Sequence, residues 1–91
     1  MDFANSREWY DRDHRVAFDG HDGGKQVIFY VSIQVLEKEF GLTSTKPDDA
    51  LAVFRRNRAA IERVAEVEYA RGNIILNTAA FKRGGGGMTI D

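Results

Sequence analysis

The sequence has no cysteine, a single proline and only two histidines in 91 residues, and its longest wholly apolar runs, Val27 to Val31 and Ala50 to Phe54, are five residues each. Each shortage excludes something. Without cysteine there is neither a disulfide framework nor a thiolate metal site, so a small extracellular scaffold held by bridges is not expected and a cytoplasmic setting is. An apolar run this short falls far below the roughly 20 residues that cross a bilayer, so no membrane partner is expected. Met1 to Asp13 is polar and rich in acids, unlike a secretion signal. His14 and His21 would stand roughly 20 Å apart along a strand, too far to share an ion. Asp11, Asp13 and His14 offer at most a weak cation site, and neither a metal nor a cofactor is expected.

Charge of one sign is also missing. Thirteen basic and 14 acidic residues leave a formal charge of −1, so no global field draws the chain to nucleic acid or acidic lipid. Residues 1–45 carry five Lys/Arg against eight Asp/Glu, and residues 46–91 carry eight against six. That polarity could orient a partner, although two ordinary solvated surfaces explain it as well. No serine stands in a recognisable nucleophile and base constellation, and the four glycines at 84–87 lack the following Lys and Ser/Thr of a phosphate loop. No catalytic residue is expected.

What the chain does have is the apolar patterning of one α+β domain, residues 1–81, followed by a flexible glycine-rich tail at 82–91. Arg15 to Asp19 alternates in polarity and runs into the glycines of 20–24, which predicts a hairpin of strands 15–19 and 25–31. In the second strand Val27, Phe29 and Val31 fall on one face, with Ile28 and Tyr30 on the other. A strand apolar on both sides needs cover on both, and Trp9, Tyr10 or a second copy of the protein are the candidates.

Ser32 is a good N-cap, and Ile33, Leu36 and Phe40 follow at helical spacing until Gly41, which predicts a short helix over 33–40 with Leu42 closing its end. Pro47 with Asp48 and Asp49 marks a second start. No glycine or proline follows until Gly72, so a single long helix is predicted over 46–71. A short apolar strand at 73–77 then joins the hairpin, and residues 2–6 can add an edge strand. Thr78 to Phe81 either extends the last strand or docks as a turn. The expected architecture is an antiparallel sheet covered on one face by the two helices.

Two features of the long helix invite a functional reading. Arg55, Arg56 and Arg58 suit bidentate phosphate contacts, yet they fan over about 160° of the helix, with Glu62 one turn from Arg58. A nucleic-acid face built from these, with Lys82 and Arg83, is the less favoured reading. Asn57 and Glu68 interrupt the apolar stripe, suggesting a polar groove or dimer contact along the rod, or simply one buried hydrogen-bonded Asn and one Glu at the stripe's edge.

Trp9-Tyr10-Asp11, Arg15-Val16-Ala17-Phe18, Val27 to Ser32, Phe54 to Glu62 and Gly72 together resemble a small bacterial family, domain of unknown function 1488, over about residues 2–81. That resemblance implies a compact α+β domain and supplies no activity, cofactor or site residue. The expected function is a non-enzymatic interaction or regulatory module, with a nucleic-acid-binding or transcription-related protein using Arg55, Arg56 and Arg58 as the alternative and a small-metabolite enzyme less favoured still. The candidate contact residues are Tyr10, Tyr30, Arg55, Arg56, Asn57, Arg58 and Glu68. The candidate partners are a second copy, another protein or, less favoured, nucleic acid.

Overall fold

The computed structural model describes residues 1–82, in the order β1 (Glu8–Asp11), β2 (Arg15–Asp22), β3 (Lys25–Ser32), α1 (Ile33–Phe40), α2 (Pro47–Arg56), α3 (Arg58–Ala70), β4 (Ile75–Leu76) and α4 (Thr78–Ala80). The four strands form one sheet in the order β1-β2-β3-β4. The expected tail and Arg83 lie outside the described residues, apart from Lys82.

The hairpin is longer than expected. Phe18 pairs with Phe29 and Asp22 with Lys25, so the strands run on to a two-residue turn at Gly23 and Gly24, both at positive φ. Such a turn matches the twist of the flanking strands and favours residues free of a Cβ. Gly20 is therefore a strand residue, not part of the turn. A Cβ there would come within 2.7 Å of Phe3 Cε1 and 2.8 Å of Met1 Sδ. Both atoms belong to side chains packed against the core, the Phe3 ring beside Phe18 and Phe29 and the Met1 side chain 1% exposed, so Gly20→Ala should cost about 1–3 kcal/mol. Faster amide exchange at Asp2 and His21, whose main chains bond each other at 2.8 Å, would register the displaced N-terminal segment.

Four expectations fail. The sheet is mixed, not antiparallel, because β4 pairs parallel to β3 through Tyr30↔Ile75 and Val31↔Leu76. A helical crossover from β3 returns the chain in the same direction, and parallel pairing follows. The expected strand at 73–77 shrinks to two residues, since Asn77 caps α4 by accepting from the Ala80 N–H at 2.9 Å. The edge strand is β1, paired antiparallel to β2, whereas of residues 2–6 only Asp2 makes a bridge, to His21.

The fourth failure is the long helix. Its ends fall close to the expected 46–71, but it breaks at Asn57, whose φ of −113° and ψ of 18° separate α2 from α3. Asn57 Nδ2 donates to the Val53 carbonyl at 2.9 Å, competing with the main-chain ladder for the same acceptor. A groove or dimer contact along one continuous rod is therefore not built.

Other local signals work as read. Ser32 Oγ accepts from the Val35 N–H at 3.2 Å, Gly41 takes φ 75°, and the Leu42 N–H donates back to Leu36. Pro47 sits in the first turn of α2 with Asp48 and Asp49, although Lys46 at the N-cap makes no side-chain bond. At the end of α3, Gly72 takes φ 87° and the Asn73 N–H closes on the Glu68 carbonyl at 2.8 Å.

The core lies on one side of the sheet. Val16, Phe18, Phe29 and Val31 are fully buried against Val35 and Leu36 of α1, Phe54 of α2, and Ile61 and Val64 of α3. The described residues extend 35 × 35 × 20 Å. The short dimension is that of one sheet layer and one helix layer, each about 10 Å thick.

Candidate interaction face

Strand alternation fixes what the other side of the sheet presents. The register places Trp9 beside Ala17, Ala17 beside Tyr30 and Tyr30 beside Ile75, so these four form a belt running across all four strands. Ala17 is fully covered by its neighbours, Trp9 and Tyr30 are half-buried, and Ile75 is 60% exposed. Ile28, also half-buried, lies one row away on the same face. The helices pack on the opposite side, with the core.

Ionic groups flank the belt on its two sides, toward the two ends of the strands. At one end Arg15 Nε donates to Asp11 Oδ2 at 2.9 Å, its guanidinium sits 3.8 Å from the centre of the Tyr30 ring, and Asp13 Oδ2 lies 3.6 Å away. That guanidinium holds the Asp11 carboxyl below its usual range. At the other end Asp19 is buried, accepting from the Arg7 N–H at 2.7 Å, from Arg7 Nη2 at 3.0 Å and from Gln26 Nε2 at 3.0 Å. Burial pushes the Asp19 carboxyl up, but these donors outweigh it and the net shift is downward. The Arg7 side chain covering it is 72% exposed.

The residues singled out from sequence do not gather in one place. Tyr30 belongs to the outer belt. Tyr10 faces the core side instead, where its hydroxyl lies 3.3 Å from His14 Nδ1 at the mouth of a cavity of about 480 Å³ also lined by Ile33, Gln34 and Glu37. His14 holds φ 59°, unusual for a residue with a Cβ, while its carbonyl accepts from the Ile33 N–H at 3.2 Å. Neither this turn nor β1 carries a periodic signal strong enough to be placed from sequence.

Arg55 and Arg58 converge on Glu8 of β1. Arg55 Nε donates to Glu8 Oε2 at 2.7 Å, and Arg58 Nη1 donates to Glu8 Oε1. Arg58 also reaches Glu62 at 2.9 Å and Ser6 Oγ at 2.7 Å. Burial alone would raise the Glu8 carboxyl, but its bonds to Arg55 and Arg58 bring it below the ordinary range. The pair of arginines thus ties the helix break to the edge strand. Arg56 stands exposed beside a surface groove with Gly41, Leu42 and Asp49. Glu68 is buried, accepting from Asn73 Nδ2 at 2.8 Å, and half-buried Asn57 makes the helix joint. Both interruptions of the apolar stripe therefore meet polar partners inside the fold.

Among the described residues no group of three or more His, Asp or Glu side chains could hold a metal ion, and no helix is long and apolar enough to cross a membrane. No curated protein and no solved structure matches the chain. A family model does match, over residues 1–75, and with it the layout of strands, helices and Gly72 finds its place: the chain belongs to the family described as protein of unknown function (DUF1488).

Proposed function

We propose that this chain is a non-enzymatic interaction module of the cytoplasm that works as a homodimer, joined through the outer face of its sheet. One observation carries the reading: the belt of Trp9, Ala17, Tyr30 and Ile75 crosses the whole sheet on the side away from the helices. Apolar surface of this kind gains free energy by leaving water, and a fold of two layers has no third layer to place over it. The lack of cysteine suits a reducing compartment.

A second copy suits the face better than a strongly charged partner. The face carries both signs, with Arg7 and Arg15 set beside Asp11 and Asp19, and so has no field that would hold a polyanion. Two of the three arginines considered for nucleic acid are engaged with Glu8. Strands of four, eight, eight and two residues, about 4.8 Å apart and 3.3 Å per residue, offer roughly 350 Å² per copy. That is about half of what a standard interface buries per partner, so the dimer should be weak and concentration-dependent, in the micromolar range.

Sedimentation velocity over a concentration series should therefore follow a monomer to dimer equilibrium. Ile75→Glu places a charge on an exposed belt position outside the core and should weaken the dimer at least about tenfold, or 1.4 kcal/mol. A wild-type chain that stays monomeric at hundreds of micromolar, or a dimer indifferent to Ile75→Glu, would overturn the proposal.

A further inference from the structure

We infer that the two copies meet about a two-fold axis that runs across the strands along the Trp9 to Ile75 belt, so that the Arg7 end of each sheet lies over the Asp11 end of the other. The inference rests on the outer face being the self-association surface and adds the way the copies are turned.

Two sheets stacked face to face by a two-fold axis have two simple choices. An axis along the strands keeps the ends together and exchanges the two edges. An axis across the strands exchanges the ends and keeps each strand over its own counterpart. Packed sheets depart from strict alignment by about 30°, which blurs but does not mix these two arrangements.

The charges on the face separate the choices. At one end the exposed group is the Arg7 guanidinium, 72% accessible, lying over an Asp19 that is only 1% accessible. It spends one N–H on Asp19 Oδ2 and keeps further donors for an incoming acceptor. At the other end two carboxylates, Asp11 and Asp13, surround the single guanidinium of Arg15, and Asp13 is 71% accessible. This end has acceptor capacity to spare. An axis along the strands would instead carry β1, with Arg7, Asp11 and Asp13, over the β4 edge of the partner, three strand spacings from the partner's own charges, and leave them without an ionic counterpart. An axis across the strands brings each Arg7 to the partner's Asp11 and Asp13, twice per dimer, and like charges are kept apart.

The belt then lies on the axis itself, where each residue faces its own copy. Trp9 meets Trp9 and Ile75 meets Ile75, which closes a continuous apolar strip between two ionic borders. Such an isologous contact satisfies both copies with one patch and leaves nothing to propagate into a filament.

The cysteine-free sequence makes a clean test. Ile75→Cys and Trp9→Cys are prepared singly, and each is treated, alone and as an equimolar mixture, with a bis-maleimide short enough to span the roughly 10 Å between packed sheets. With the axis across the strands, each variant links to itself in high yield. The mixture then gives no product joining one variant to the other, because the two substituted positions lie about 14 Å apart across three strand spacings. A mixture that yields chiefly the cross-variant product, without self-linked species, places the axis along the strands and overturns this inference while leaving the dimer in place. A wild-type dimer by sedimentation with no cross-link from either position places the contact elsewhere and overturns both. Should Trp9→Cys unfold, the exposed Ile75→Cys still decides: its failure to link to itself in a sedimenting dimer counts against the axis proposed.

Discussion

Replacing Phe54 with alanine lowers the free energy of unfolding by about 3–5 kcal/mol, a large part of the roughly 5–15 kcal/mol on which a small domain stands. The ring is fully buried, 5.0 Å from the centre of the Phe18 ring, and Phe18 in turn stacks on Phe29 at 5.4 Å. These three rings form the seam between the helix layer and the sheet. Alanine would remove the contribution of α2 and leave a cavity that the rigid strands cannot fill. The site also lies three residues before the break at Asn57, where the helical ladder is already interrupted, so the helices have little backbone stiffness with which to compensate. Urea titration should show a lower midpoint at unchanged slope. The measurement belongs at concentrations where the chain is monomeric, because association adds its own stabilisation. A loss under about 1 kcal/mol would mean that α2 is not held to the sheet through this seam.

Much of this seam is legible in the sequence. Phe54 falls in the apolar stripe, Phe29 alternates with Val27 and Val31, and the caps at Ser32, Gly41 and Gly72 carry the residue types that their backbone angles demand. The two-faced character of β3 is legible as well, and it leads to the outer belt through Tyr30. The rest depends on contacts between distant residues. Nothing local marks Asn57 as a helix break, because asparagine is tolerated inside helices and the competing bond to Val53 is decided by geometry. The engagement of Arg55 and Arg58 with Glu8 spans roughly 50 positions, and the helical pattern alone sends those arginines to solvent. β1 escapes the pattern because Glu8-Trp9-Tyr10-Asp11 is too short to show a period. Its core-facing Glu8 is paired with arginines, and its outward Trp9 is apolar, which inverts the usual polarity of the two faces. The parallel pairing of β4 follows from the helical crossover, and two residues hold no information about direction.

Asp19 concentrates the polar side of the same balance, and removing it should be the costliest single change on the outer face. Asp19→Ala deletes the acceptor for the Arg7 N–H, the Arg7 guanidinium and the Gln26 amide, and should lower stability by about 2–3 kcal/mol at neutral pH. The exposed Arg7 can turn back to water, so the loss stays below that of a fully buried ion pair. The pH dependence identifies the cause. The Asp19 carboxyl is held below its ordinary 3.8, as is Asp11, and Glu8 is held below its ordinary 4.5. A depressed folded pKa means that the unfolded chain binds protons first as the pH falls. The stabilisation is therefore complete above the unfolded values and is lost as the pH drops through the lower folded ones. Wild-type stability should stay flat above about pH 5 and decline in acid below it. Chemical denaturation of Asp19→Ala across that window should give a shallower acid decline, the gap from wild type narrowing as the pH falls below 3.8. Asp19→Asn, which keeps an oxygen for the Arg7 N–H, should lose less at neutral pH and show the same shallower limb. A gap between wild type and Asp19→Ala that stays constant into acid would mean that side-chain shape, and not the charge on Asp19, holds the start of β1 to β2.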